Sequence, residues 1–147
     1  MKDTASQVNT DIDLALAREK YLAEQEKDNP NASVKFNYAK CLTRDEKKEN
    51  KARGAGLLRD LLNENCINTI DCLYSLSTTL YELGDYSSSR TYCERLLRID
   101  PTHEKAMDLH RLIKENLAKD SAIGLGLVAG AVVIVGVAVQ FFLKSKK

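Results

Sequence analysis

Apolar residues recur every three or four positions between residues 12 and 117, with polar and charged residues between them. That period predicts a series of amphipathic helices. Thr10-Asp11-Ile12-Asp13 supplies a capping hydroxyl and acids for a first turn, and Ile12, Ala15, Leu16, Leu22 and Ala23 follow a period near 3.6. A first helix is therefore expected from Thr10 to about Lys27, and the polar residues 1–9 before it are expected to form a mobile arm. Asp28-Asn29-Pro30-Asn31 breaks the pattern. Ser33 is then placed to cap a second helix carrying Val34, Tyr38, Cys41 and Leu42 and ending near Arg44. The charged run 45–50 reads as a solvated loop or an exposed helix end. Ala52, Ala55, Leu58, Leu61 and Leu62 give a third helix, in which Gly54 and Gly56 let a neighbour approach at some cost in helix propensity. Leu73, Leu76, Leu80 and Leu83 give a fourth, ending at Gly84-Asp85. Tyr86, Ser89, Cys93, Leu96 and Leu97 form the inner face of a fifth. Asp100 as cap and Pro101 in the first helical position open a sixth, with Ala106, Leu109, Ile113 and Leu117 inward. No alternating β-branched run intervenes, so residues 10–119 are expected to form an all-α bundle of six helices.

The pattern changes at residue 122. Residues 122–143 contain no formal charge, thirteen Leu, Ile, Val or Phe residues, and Gln140 as the one strongly polar side chain. As a helix this stretch would reach roughly 33 Å against a hydrocarbon core of about 30 Å, which predicts one transmembrane helix. Only Lys144, Ser145, Lys146 and Lys147 follow it, so the expectation is a tail anchor inserted after synthesis, with residues 1–121 left in the cytosol. The N-terminus has no apolar stretch that would make a secretory signal and carries acids that a transit peptide avoids. Ala122, Gly126 and Gly130 recur every four residues, a small-residue pattern that allows anchor helices to touch and a homo-oligomer to form. The basic cluster Lys144, Lys146 and Lys147 is a candidate address signal.

Charge excludes one class of partner. Residues 1–121 hold 19 basic and 21 acidic side chains, so no basic face for nucleic acid is implied. Cys41, Cys66, Cys72 and Cys93 show no Cys-x-x-Cys spacing and read as small buried apolar residues in a reducing compartment. His103 and His110 lie seven apart, too far to bind one metal as an i, i+4 pair, and read as surface residues. Without a glycine-rich phosphate loop, a paired metal motif or a Ser/His/acid set, no catalysis, metal or cofactor is expected.

The fourth and fifth helices fit the tetratricopeptide template of about 34 residues. With Pro101 as its terminal proline, Leu73, Leu76, Ser77 and Leu80 take the packing positions of helix A. Gly84 and Tyr86 fall at the turn, and Ser89, Cys93 and Leu96 in helix B. The second and third helices look like a degenerate copy, and the first and sixth would cap the pair. Phe36-x-Tyr38-Ala39-x-Cys41-Leu42-x-Arg44, Leu57-Leu58-x-x-Leu61-Leu62, Leu83-Gly84-Asp85-Tyr86, Leu96-Leu97 with Pro101, and a Gly-rich anchor ending in Lys144-Ser145-Lys146 occur in an order that resembles the mitochondrial fission 1 protein family. The resemblance implies a two-repeat, six-helix cytosolic domain anchored on the mitochondrial and peroxisomal outer membrane. It further implies an adaptor for fission machinery built around a dynamin-related GTPase, with links to mitophagy in animals. Two departures bear on the partner surface: Lys40 stands where the family often has an aromatic, and Glu82 where a basic residue is common.

Stacked helix pairs curve, and their A helices line a concave face suited to a partner's helix or extended segment. Template positions put Asp71, Tyr74, Thr78, Tyr81 and Glu82 on that face from the fourth helix, with Asn37, Cys41 and Arg44 opposite on the second. Tyr74 and Tyr81 are either its aromatic anchors or core residues, and the polar arm before Thr10 is a candidate competitor for the same groove. Two other classes compete. A Bcl-2-like apoptosis regulator is also a tail-anchored helical domain, and Leu80-x-x-x-Gly84-Asp85 fits its short interaction signature, but it needs a helix running through Gly84-Asp85. A docking receptor for chaperone C-termini would want Lys or Arg and Asn where Tyr74 and Thr78 stand.

Overall fold

Short polar side chains open four of the helices in the computed structural model, which describes residues 4–65 and 68–124. The elements are α1 (Thr4–Gln25), α2 (Ala32–Arg44), α3 (Lys48–Glu64), α4 (Thr69–Glu82), α5 (Tyr86–Ile99) and α6 (Glu104–Gly124). Asn31 accepts from Ser33 N at 2.8 Å, and Asn68 accepts from Ile70 N and Asp71 N at 3.0 and 3.3 Å. Asp85 accepts from Ser88 N at 3.2 Å, and His103 Nδ1 from Ala106 N at 3.1 Å. Each satisfies a helix-terminal N–H that would otherwise lack a partner, worth about 1 kcal/mol. Two expected caps change as a result. Asn31, not Ser33, caps α2, and Pro101 lies in a turn before α6 because Asp100 accepts from both Thr102 N and Thr102 Oγ1.

The described chain divides into two units, Met1–Ala106 and Met107–Lys147. In the first, α2 packs on α3 and α4 on α5 as two helical pairs, α3 joins the pairs through α4, and α1 lies on α2. Leu42, Leu58, Leu61, Leu73, Leu76 and Leu96 are almost wholly buried, each contributing roughly 1.5 to 3 kcal/mol of apolar burial. The template positions predicted for the second pair are all inside: Leu73, Leu76, Ser77, Leu80, Ser89, Cys93 and Leu96. Small residues bring those helices together. Ser89 Oγ donates to Ser77 O at 2.7 Å, Ser77 Oγ to Leu73 O at 2.6 Å, and Cys93 Sγ to Ala106 O at 3.2 Å. On α6, Ala106, Leu109 and Ile113 are buried, while Leu117 is half-buried.

Four expectations need correction. First, α1 begins at Thr4 and not at Thr10, because Thr10 Oγ1 back-bonds to Ser6 O and Gln7 Nε2 donates to Asp11 Oδ1, both at helical spacing. Second, the periodic set Ile12, Ala15, Leu16, Leu22 and Ala23 is exposed. The residues turned inward are Leu14, Ala17 and Tyr21, with Tyr21 stacked on Tyr38 at 4.9 Å. Third, the charged run is not uniformly solvated: Asp45 is buried and accepts from Asn50 Nδ2, fastening the α2–α3 connection. Fourth, neither histidine is a simple surface residue; both are half-buried, and His103 caps α6. Two of the cysteines are buried as expected, Cys72 and Cys93, whereas Cys41 is only half-buried, and Cys66 lies outside the described residues.

No described helix is long and apolar enough to cross a membrane. α6 continues without a break to Gly124. The predicted span 122–143 otherwise lies outside the described residues, as do Gly126, Gly130, Lys144, Lys146, Lys147 and the side chain of Ala122.

The two glycines of α3 differ in kind. A Cβ on Gly54 would stand 2.7 Å from Thr43 Cγ2 and 2.9 Å from Ala39 O, whereas one on Gly56 would meet nothing within 4 Å. Gly54→Ala is therefore expected to destabilise the domain by about 1 to 3 kcal/mol through overpacking. Gly56→Ala should stabilise it by about 0.5 to 1 kcal/mol through helix propensity. Urea unfolding of both variants checks the opposite signs.

The α1–α2 corner predicts an acid sensitivity. Glu24 accepts from Lys27 Nζ at 2.9 Å and from Asn31 N at 2.7 Å, and these bonds hold its carboxyl below the ordinary glutamate value of 4.5. A depressed folded value stabilises above the unfolded one and is lost as pH falls through it. The stability gap between the parent and Glu24→Gln should thus be full above about pH 4.5 and shrink below it, as measured by urea unfolding at a series of pH values.

Candidate functional site

The A helices of the two pairs, α2 and α4, border an open cleft of about 740 Å³. Lys40, Thr43 and Arg44 line it from the end of α2, Glu46 from the connection, and Lys51 from the start of α3. Tyr74, Ser75, Thr78, Thr79 and Glu82 form the α4 side, and Thr10 of α1 stands at its margin. The α4 set follows from helical spacing, since 74, 78 and 82 share one face and 75 and 79 lie beside it.

Charges in the cleft are partly committed. Lys51 Nζ donates to Glu82 Oε1 at 3.0 Å and to Thr43 O at 2.8 Å, which ties α3 to α4 across one end. Lys40 Nζ lies 5.3 Å from the centre of the Phe36 ring. Arg44 is exposed and, among the described residues, makes no salt bridge. The Tyr74 ring sits 5.4 Å from that of His103, whose Nδ1 is engaged at the start of α6. Thr79 Oγ1 donates to Ser75 O at 2.7 Å. Thr78 Oγ1, by contrast, is buried with no hydrogen-bond partner among the described residues, at a cost of about 1 to 3 kcal/mol.

Of the eight residues expected on the concave face, Arg44, Tyr74, Thr78 and Glu82 come together in this cleft. Asn37 and Cys41 line a second, smaller pocket of about 310 Å³ with Asp13, Leu16, Ala17 and Lys20 of α1, and Arg44 borders both. Those two residues line the side of α2 that borders α1, where Asn37 stays exposed and Cys41 is half-buried. Burial pushes the Cys41 thiol above its ordinary value, opposed by Arg44 and assisted by Asp13. Cys72 and Cys93 are pushed to about 11 by burial, so neither is a ready nucleophile. Tyr81 lies outside the cleft with its ring 5.3 Å from Tyr86, and Asp71 is an exposed acid in the first turn of α4. Lys40, Thr43, Glu46, Lys51, Ser75 and Thr79 are cleft residues that the template positions missed. Lys40 was findable from its i, i+4 relation to Arg44; Lys51 was not, since it arrives from a different helix.

The turn between α4 and α5 separates two classes of fold. α4 ends at Glu82, Gly84 takes φ +85°, and α5 starts at Tyr86, so no helix runs through Gly84-Asp85 as a Bcl-2-like signature requires. Two antiparallel helical pairs whose A helices border a cleft define a tetratricopeptide-like repeat domain. A family model described as the Fis1 C-terminal tetratricopeptide repeat matches residues 70–122. The mitochondrial fission 1 protein of Yarrowia lipolytica is 33% identical over 142 residues, covering 93% of this chain and 92% of that protein. Its counterpart in Debaryomyces hansenii is 32% identical over 124 residues, covering 84% and 80%. The chain belongs to the mitochondrial fission 1 protein family. Its fold matches the crystal structure of Fis1 from Saccharomyces cerevisiae with a TM-score of 0.69 at 23% identity, over 75% of this chain and 84% of that one. It also matches yeast Fis1 crystallised with an Mdv1 fragment containing N-terminal extension and coiled-coil domains, with a TM-score of 0.67 at 23% identity, over 74% and 84%.

The orphan hydroxyl predicts an unusual sign. Thr78→Val should raise stability by about 1 kcal/mol, since it removes an unsatisfied polar group at nearly constant volume, whereas Ser89→Ala should lower it by a similar amount by removing a buried hydrogen bond. Chemical denaturation of the two variants side by side checks this.

Proposed function

We propose that this chain is a membrane-anchored adaptor that recruits mitochondrial fission machinery, and that the α2–α4 cleft receives a helix of its partner. The observation that carries the reading is the cleft itself, whose lining includes one aromatic ring, Tyr74, and the uncommitted cation of Arg44. Aromatic residues and arginine are the side chains in which binding energy concentrates. Family membership supplies the process, and the yeast relative's complex with an Mdv1 fragment supplies the kind of partner, a helical segment of a fission adaptor. In this reading a dynamin-related GTPase is engaged directly or through that adaptor, and the chain works by binding and not by catalysis.

The composition of residues 122–143 supports a single anchor in the mitochondrial outer membrane, with the helical domain facing the cytosol. Lys144, Lys146 and Lys147 act in this reading as the address. Peroxisomal fission and a link to mitophagy follow from the family resemblance and form the outer part of the proposal. Asp71 and Tyr81 fall outside the cleft's lining, so Arg44, Tyr74, Thr78 and Glu82 are the residues assigned to the partner.

In cells from which the chain has been deleted, mitochondria are expected to elongate into nets. Re-expressing the parent or Tyr81→Ala should restore fragmentation. A Tyr74→Ala/Arg44→Glu double variant should not, and its capture of the fission adaptor should fall at least tenfold at unchanged helical circular dichroism and expression. Full rescue by the double variant would sink the cleft assignment.

A further inference from the structure

We propose that a pocket walled by α1, α2 and α3, apart from the α2–α4 cleft, receives a phosphorylated serine or threonine side chain of a partner protein. Helical spacing sets its lining. Asp11, Leu14 and Arg18 come from one face of α1, Tyr38 and Leu42 from one face of α2, and Arg53 from the start of α3, around a volume of about 260 Å³. None of these residues lines the cleft, so the two sites are separate.

The donors of the lining identify its ligand. Arg18 and Arg53 are exposed, and among the described residues neither forms a salt bridge or a side-chain hydrogen bond. Two guanidinium groups on one small pocket repel each other, and an anion held by both relieves that repulsion. Tyr38 supplies a third donor. It is 5% exposed and its ring is stacked on Tyr21, so it is fixed in place. Its hydroxyl makes no hydrogen bond among the described residues, yet it is not shielded from water as Thr78 Oγ1 is. A buried ring with an open, unpartnered hydroxyl leaves a polar group for a ligand. A phosphate monoester suits this set better than a carboxylate, since it offers up to two charges to the two arginines and a third oxygen to the phenol. The volume is below the roughly 300 to 1,000 Å³ of sites that enclose drug-sized ligands, which suits a single modified side chain and not a nucleotide. Leu14 and Leu42 give its short stem apolar contact. Asp11 accepts from Gln7 Nε2 and keeps lone pairs for a further donor. It repels a bare phosphate ion but can accept the backbone N–H beside a phosphorylated residue, so it favours phosphate carried on a peptide.

Carbon-13 NMR of the full chain in neutral-lipid nanodiscs, labelled at the tyrosine ζ carbons, tests the site. The Tyr38 resonance is the one lost in Tyr38→Phe. The probes are a blocked alanine pentapeptide with a central phosphoserine, the same peptide with serine or glutamate at that place, and inorganic phosphate. The phosphoserine peptide should shift the Tyr38 resonance saturably, the serine peptide should not, and the glutamate peptide and inorganic phosphate should bind at least about tenfold more weakly. Arg18→Ala and Arg53→Ala should each weaken the phosphopeptide about tenfold, and Arg53→Lys nearly as much, because an ammonium lacks the planar fork. Asp11→Ala should narrow the preference for the phosphopeptide over inorganic phosphate. The cleft variant Tyr74→Ala/Arg44→Glu should leave phosphopeptide binding unchanged, which separates a failure of the cleft assignment from a failure of this one. Circular dichroism confirms that the variants keep their helices. Absence of a saturable shift, or affinity indifferent to both arginines, would overturn the proposal. Equal affinity for the glutamate peptide would overturn it in favour of a general acidic-peptide site, and equal affinity for inorganic phosphate in favour of a free-ion site.

Discussion

Close approach of paired helices is the constraint on which the rest of this domain depends. α3 lies so near α2 that Gly54 has no room for a methyl group against Thr43 and Ala39. α5 lies near enough to α4 for Ser89 to reach the backbone of Ser77. Small residues on the inner faces set these distances, and leucines fill the space around them. With both pairs closed, their A helices fall side by side and the cleft between them follows as a consequence.

That cleft is polar at one end and aromatic at the other. The Lys51–Glu82 pair is half exposed and contributes little to stability on its own, but its geometry fixes α3 to α4 where the cleft ends. Glu82 is thereby used inside the domain, and its charge is largely balanced before a partner arrives. Lys40 rests on Phe36. Arg44 remains as the cation most available to a partner. The unsatisfied hydroxyl of Thr78, in the lining of the same cleft, is a local cost in a fold whose other buried polar groups are mostly satisfied, and such costs tend to persist at functional surfaces.

α1 differs from the other helices in how little of it is enclosed, with Glu24 as its one buried residue. It is held at its C-terminal end, by Tyr21 on Tyr38 and by Glu24 at the corner, while its N-terminal turns lie near the cleft margin at Thr10.

Local physics was enough to read most of this from the chain. Leucine spacing and the Gly84 turn predicted six helices, the repeat register of α4 and α5, and the burial of Cys72 and Cys93, because each depends on residues within a turn or two of one another. Family membership was also legible, since it rests on motif order. Tertiary structure alone decided the rest. Two helical stripes compete on α1, and periodicity cannot say which meets the core; the weaker one does, because Tyr21 finds Tyr38 and leaves Val8, Ile12 and Leu16 outside. Nor could spacing show that α1 would claim Asn37 and Cys41, or that Lys51 would enter the cleft from α3. Those outcomes depend on which helix lies beside which, and that is settled by packing among residues far apart in the chain.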